Sequence, residues 1–319
     1  MGVDRPSKKL LEQLSGQLDA DGRLADDGVL ISINGPAPRM WRAEDLVLGG
    51  EAAGVPLRVL TPTARPRAVI VYYHGLGPSW ATGSMGEYET LVRKLAERMN
   101  CTFVMVDWRR PPASPHPTPT DDAYAALELA RDQLIGTAEY EMPLMVAGDG
   151  VGGNLATEVA MRARDSGGPA VSMQILIYPM TDADLGRASY RAEENQVLLK
   201  SSTVAEFWKE YEPDSERRLD PDLSPLRSEN LKGLPPAVVL TAECDPLRDE
   251  GEAYARRLLE AGGLASYRCY AGQLHGFFNF LQLPQGEAAM QQVVKAVALY
   301  LARGPEAVLR GDFQALRGA

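Results

Sequence analysis

Hydrophobic spacing changes character twice along the chain. Over residues 7–18, Leu10, Leu11, Leu14 and Leu18 recur at helical spacing, predicting a short amphipathic helix whose apolar face needs a surface to cover. Residues 19–42 are rich in Gly, Asp and Pro and read as irregular chain, and two strand-like runs follow at 45–48 and 55–60. From Ala68 onward, apolar runs at 69–73, 102–106, 144–146, 173–178 and 237–240 take turns with helix-like stretches at 85–99, 121–134 and 155–164. Short β-branched and aliphatic runs without polar alternation are what strands buried on both faces look like, so the expected class is α/β with a mostly parallel sheet flanked by helices. The last helix is the clearest: Met290, Val293, Val294, Val297 and Leu301 hold one face and predict packing on the sheet.

Residues 181–222 interrupt this rhythm. They are mostly polar, with a helix-like piece carrying Val204, Phe207, Trp208 and Tyr211. An insertion after a sheet strand is a natural cap over a site at the strands' C-terminal ends. The expected organisation is an N-terminal cap segment (1–45), a core (46–180 and 223–303), a cap insertion (181–222) and a C-terminal extension (304–319). Val308, Leu309 and Phe313 in that extension are candidates to dock on the body or on a second subunit, which makes a homodimer a candidate assembly.

Composition removes several classes of function. A chain of 319 residues with 45% apolar and 24% charged content is ordinary for a globular protein with a sizeable core. A net charge of −10 without any Lys/Arg block argues against nucleic acid as a partner. Cys101, Cys244 and Cys269 are too few and too scattered for a disulfide framework or zinc cluster, which points to a reducing, cytoplasmic setting. The start Met-Gly-Val-Asp-Arg-Pro has no apolar signal core, and no stretch approaches the roughly 18 apolar residues of a membrane span. His74, His116 and His275 show no ligand-like spacing, so neither a metal nor another cofactor is expected. Between Pro115 and Pro117, His116 reads as a loop residue lining or bordering a pocket.

The candidate chemistry sits at strand ends. Residues 147–154, Ala-Gly-Asp-Gly-Val-Gly-Gly-Asn, join an apolar run to a helix-like stretch and have the form of a nucleophile elbow, a tight turn that projects its apex residue into a site. The apex here is Gly150, which has no side chain. Three further pieces fall at expected strand ends: His74-Gly75-Leu76-Gly77, the stretch 243–250 containing Asp245, and Leu274-His275-Gly276-Phe277-Phe278. The order elbow, Asp, His is the chain order of the α/β-hydrolase fold. Gly148 to Gly153 lacks the spacing and the Lys-Ser/Thr ending of a phosphate-cradling loop.

With these pieces, and with Asp107-Trp108-Arg109, Asp121-Asp122-Ala123-Tyr124, Leu176-Ile177-Tyr178-Pro179 and Ser224-Pro225-Leu226, the chain resembles the hormone-sensitive-lipase-like family of α/β-hydrolases, which includes bacterial carboxylesterases and arylacetamide-deacetylase-like enzymes. The likeness runs from about Asp45 to Ala302. It implies an α/β-hydrolase fold in which Asp245 orients His275 and His275 is the general base. It also implies an oxyanion hole from the backbone N–H groups of Gly75, Leu76 and Val151.

Four positions depart from the family pattern: Leu76 in the oxyanion loop, a longer turn after Gly77, Ala113 in the Pro-rich turn and, above all, Gly150, where the pattern Gly-Asp-Ser-Ala-Gly-Gly has serine. Without a serine hydroxyl there is no acyl-enzyme route. Cys244, Ser79 and Ser84 read better as a small buried residue and turn residues than as substitute nucleophiles, and Asp149 as support for the turn. Three readings follow: an enzyme using His275 and the oxyanion loop without a serine, by elimination, cyclisation, isomerisation or direct water attack; a carboxylesterase inactivated at Gly150; and a non-catalytic small-molecule binder. In each the ligand is small and carbonyl-bearing, with His74, Trp80, Asp149, Phe207, Trp208, Phe277 and Phe278 as candidate pocket residues.

Overall fold

Alternate residues of the central strands feed two separate apolar layers, and that division organises the molecule. The computed structural model describes residues 2–14, 34–49, 54–76 and 84–310. Its strands are, in chain order, β1 (Arg42–Leu48), β2 (Val55–Thr61), β3 (Val69–Tyr73), β4 (Thr102–Val106), β5 (Leu144–Asp149), β6 (Val171–Ile177), β7 (Ala237–Cys244) and β8 (Ala265–Leu274). They form one sheet in the order β1-β2-β4-β3-β5-β6-β7-β8, in which only β2 runs against its neighbours. The α/β-hydrolase fold expected from the sequence is therefore the fold observed.

Seven helices of two turns or more accompany the sheet among the described residues: α1 (Arg5–Leu14), α2 (Met85–Met99), α3 (Thr118–Leu129), α4 (Val151–Ser166), α5 (Ser201–Tyr211), α6 (Arg248–Glu260) and α7 (Pro284–Arg303). Because side chains alternate across a strand, Val71, Tyr73, Val104 and Val146 point to the layer of α3, α4 and α6, whereas Ile70, Tyr72, Phe103 and Met145 point to that of α1, α2 and α7. Met290, Val293 and Val297 of α7 are buried in the second layer, on the face their spacing marks out.

Two local features differ from the sequence pattern. β8 carries Ser266, Tyr267, Arg268, Cys269 and Tyr270 rather than an aliphatic run, because as the terminal strand of the sheet it pairs only with β7. Its register shifts opposite Ala242 and Cys244, near Gly272, which has φ +69° and donates its N–H to Glu243 Oε2 at 2.8 Å. The opening helix begins at Arg5, capped by Asp4, whose Oδ1 accepts the Ser7 N–H at 2.8 Å. Asp4 also ties α1 to β8, through its N–H to the Gly272 carbonyl and through Oδ2, which accepts from Gln273. The described part of the N-terminal segment thus covers the end of β8, with Leu10 and Leu14 buried, while Leu18 lies outside the described residues.

Between β6 and β7 there is no strand. The chain instead makes a one-turn helix (Ala188–Arg191), α5 and several 3-10 turns, and the inner face of this stretch meets the C-terminal ends of the strands. Residues 305–310 form a further turn packed by α7 and β8; Phe313 lies outside the described residues.

Candidate active site

β5 ends at Asp149 and α4 begins at Val151, leaving one residue, Gly150, to reverse the chain at φ +55° and ψ −118°. L-residues rarely adopt such a conformation. The turn closes only because its flanks are bare: a Cβ on Gly148 would lie 2.1 Å from the Gly152 carbonyl oxygen, and a Cβ on Gly152 would lie 1.8 Å from that of Tyr73. The Gly150 carbonyl accepts from the N–H groups of Gly153, Asn154 and Met180, so the apex is held from both α4 and the chain after β6. A Cβ on Gly150 itself would meet nothing closer than His275 Nε2, at 3.4 Å.

His275 follows β8 and Asp245 follows β7, two adjacent parallel strands, which brings residues 30 positions apart to the same edge. His275 Nδ1 donates to Asp245 Oδ2 at 2.8 Å, and both side chains are buried. With Nδ1 carrying the proton, Nε2 is the proton-accepting nitrogen, and it is the atom turned toward Gly150. Asp245 Oδ1 accepts the Leu247 N–H at 2.9 Å, so one carboxylate both secures the turn into α6 and orients the imidazole. The ring of Tyr178 backs His275 at 4.4 Å between ring centres. Tyr178 has φ +35°, and its buried hydroxyl has no hydrogen-bond partner among the described residues.

The loop after β3 assigns its donors differently from the sequence expectation. The Gly75 N–H donates to Asp149 Oδ1 at 2.9 Å and is thereby engaged; Leu76 and Val151, the other two expected donors, border the cavity. Val151 lies in the first turn of α4, where a helix supplies no acceptor for its own N–H groups. Asp149 also accepts from Tyr72 at 2.9 Å and Tyr88 at 3.1 Å; burial pushes its carboxyl above the usual range, against the pull of these three donors. Its side chain therefore braces the oxyanion loop against the elbow. His74 is fully buried beside this loop: Nδ1 donates to the Gly75 carbonyl at 2.7 Å, the ring stacks on Tyr88, and its own carbonyl accepts from Trp108.

Above the elbow lies a cavity of about 300 Å³. Gly75, Leu76, Asp149, Gly150, Val151 and His275 form its floor and Met180, Leu198, Leu199, Thr203, Val204 and Phe207 its cap-side wall; Pro111, Pro112, Glu206 and Glu210 also border it, and Tyr88, Leu247, Gly276, Asn279 and Phe280 complete the lining. Of the aromatic walls expected from the sequence, Phe207 is in the lining. Trp208, Phe277 and Phe278 are not: Trp208 points into the layer with Tyr211, and Phe277 and Phe278 into the α7 layer, because the 3-10 turn Phe277–Asn279 directs them under the sheet edge. His74 is likewise outside the lining, and Trp80, Gly77 and Ser79 lie outside the described residues.

The other candidate nucleophiles are accounted for by packing. Cys244 is buried with Leu198 and Leu274, and burial pushes its thiol up. Ser84 precedes α2, where its N–H donates to Glu87 Oε1. His116 borders the cap rather than the cavity, edge-on to Tyr211, and burial lowers its pKa. Among the described residues no three His, Cys, Asp or Glu side chains converge as metal ligands, and no helix is long and apolar enough to cross a membrane.

Of the cap-side wall, the sequence pattern marks only Phe207 as a pocket residue, with Val204 on the same helix-like piece. The wall's signal is the spacing Thr203, Phe207, Glu210 on α5, one face of a helix, preceded by the pair Leu198-Leu199.

The comparisons agree with this fold. Residues 70–279 match the model of a family described by the α/β hydrolase fold. A carboxylic ester hydrolase, LipN, of Mycobacterium tuberculosis is 34% identical over 93% of this chain and 83% of its own length. A serine-to-alanine mutant of an α/β hydrolase from the metagenome of Lake Arreo, Spain, superimposes with a TM-score of 0.84 at 32% identity, covering 94% of this chain and 99% of that one. A hyperthermophilic esterase from the archaeon Pyrobaculum calidifontis gives 0.82 at 32% identity, covering 97% and 100%. The chain belongs to the α/β-hydrolase family, alongside hormone-sensitive-lipase-like carboxylesterases.

Proposed function

We propose that this protein hydrolyses a small carboxylic ester without a covalent intermediate, with His275 as general base. The observation that carries the reading is the placement of His275 Nε2 opposite a glycine apex, with Asp245 fixing the ring from the other side. In this reading water attacks the ester carbonyl held above Gly150. His275 Nε2 takes the water's proton as the new C–O bond forms, and the Leu76 and Val151 N–H groups stabilise the tetrahedral oxyanion. Collapse expels the alkoxide, which takes the proton back from His275, giving one carboxylic acid and one alcohol.

A second reading is favoured by the Cβ geometry at Gly150. A serine placed there would put its hydroxyl within reach of the roughly 2.6–3.2 Å hydrogen bond that a nucleophile shares with its base. The frame thus also fits a carboxylesterase silenced at its apex. The two separate on one pair of proteins, the native chain and Gly150→Ser, treated with a fluorophosphonate and assayed on short-chain aryl esters. Serine-independent hydrolysis predicts turnover by the native chain with no phosphonate adduct by mass spectrometry. If the native chain is inert and Gly150→Ser gains both adduct and turnover, the second reading replaces the first.

A further inference from the structure

The charge at the cavity lining points to the class of molecule that enters. Glu206 and Glu210 stand one turn apart on α5 and both line the cavity; Glu206 is exposed and Glu210 half-buried. Neither carboxylate forms an ion pair or hydrogen bond with another residue, and no Lys or Arg is in the lining, among the described residues. Like charges at i, i+4 destabilise a helix, and Glu210 falls in the last turn, where the helix dipole favours cations. Lys209 stands three residues after Glu206, but no ion pair forms between them, so the stability of α5 gives little reason for the pair. The remaining charged groups of the lining are engaged elsewhere, Asp149 with its three donors and His275 with Asp245. Phe207, between the two glutamates in sequence, presents an aromatic side chain to the same cavity, and aromatic faces attract ammonium groups.

We infer that the cavity selects carbonyl compounds whose far end carries a positive charge, an amine or quaternary ammonium, held by Glu206 and Glu210 while the carbonyl lies over Gly150. The inference rests on the proposed reading of the floor as a carbonyl site and adds the charge of the substrate. Its recognition is electrostatic at a partly solvated rim, so it weakens with salt. An anionic counterpart is repelled by the same two carboxylates.

The test uses three unreactive propyl ketones matched in length, with a far end of trimethylammonium, tert-butyl or carboxylate, titrated calorimetrically into the native chain so that binding is read without turnover. The ammonium ketone is expected to bind about five-fold tighter than the tert-butyl ketone and the carboxylate about five-fold weaker, a spread that shrinks in high salt. In Glu206→Gln/Glu210→Gln the spread falls within about two-fold. Equal binding of the three ketones by the native chain, a preference for the carboxylate, or a spread that persists in salt or in the double variant overturns the inference while leaving the carbonyl site standing. Failure of all three ketones to bind overturns the carbonyl site itself, and the inference with it. The salt series is run on the native chain, so it decides the question whether or not the double variant folds.

Discussion

The floor of the cavity and its cap-side wall are built on different physical terms. On the floor, three residues are each fixed from at least two directions: Gly150 by hydrogen bonds from α4 and from the chain after β6, Asp245 by His275 and the Leu247 N–H, Asp149 by three donors. The wall is apolar contact from Leu198, Leu199, Val204 and Phe207, edged by two glutamates without ion partners. Groups that move a proton need placement within a fraction of an ångström, so rigid strand ends carry them. A wall that only selects shape and charge tolerates change. Floor substitutions should therefore alter rate or folding, and wall substitutions should alter affinity.

Asp245→Asn attacks the floor where the contrast is strongest. An amide retains an oxygen for the Leu247 N–H but favours the wrong imidazole tautomer, so kcat should fall about 10³–10⁴-fold with folding stability changed by less than about 1 kcal/mol. Steady-state kinetics beside urea denaturation checks both halves; unchanged kcat would remove Asp245 from the chemistry. Gly152→Ala instead breaks the floor's backbone. Its Cβ would lie 1.8 Å from the Tyr73 carbonyl oxygen, and a stability loss of roughly 3 kcal/mol in chemical denaturation is expected. A well-folded Gly152→Ala with native stability would mean that the elbow is looser than described. Leu199→Ala tests the wall and should show the smallest effect: KM for short esters rises about 3- to 10-fold while kcat stays within about two-fold. A collapse of kcat there would erase the distinction between the two regions.

The same distinction decides what the sequence reveals. Floor residues are legible because backbone geometry dictates them: Gly148 and Gly152 admit no Cβ, and Asp245 and His275 sit at fixed points after β7 and β8. The parallel core strands are legible because both faces are buried, which forces continuous apolar runs such as Val69–Tyr73. β8 escapes that criterion because a strand paired on one side only is free to carry Ser, Arg and Tyr. The wall is hidden for a different reason. Phe207 and Trp208 are adjacent aromatic residues on one helix, and only the rotation of α5 in the fold decides that the first lines the cavity and the second fills the core. Phe277 and Phe278 follow His275 directly in sequence, yet the 3-10 turn carries both into the α7 layer. The donor at Gly75 illustrates a third limit: its N–H is claimed by Asp149, 74 residues away in sequence, a pairing that no local pattern announces.

The central claim is that His275 does chemistry opposite a glycine apex. Its most direct measurement is the rate of acid release from a short-chain aryl ester by the native chain and by His275→Ala, each corrected for the uncatalysed reaction. The account predicts turnover by the native chain that falls at least about 10²-fold in the variant, the usual share of a positioned general base. Equal rates from the two proteins, or no turnover by the native chain, would contradict it.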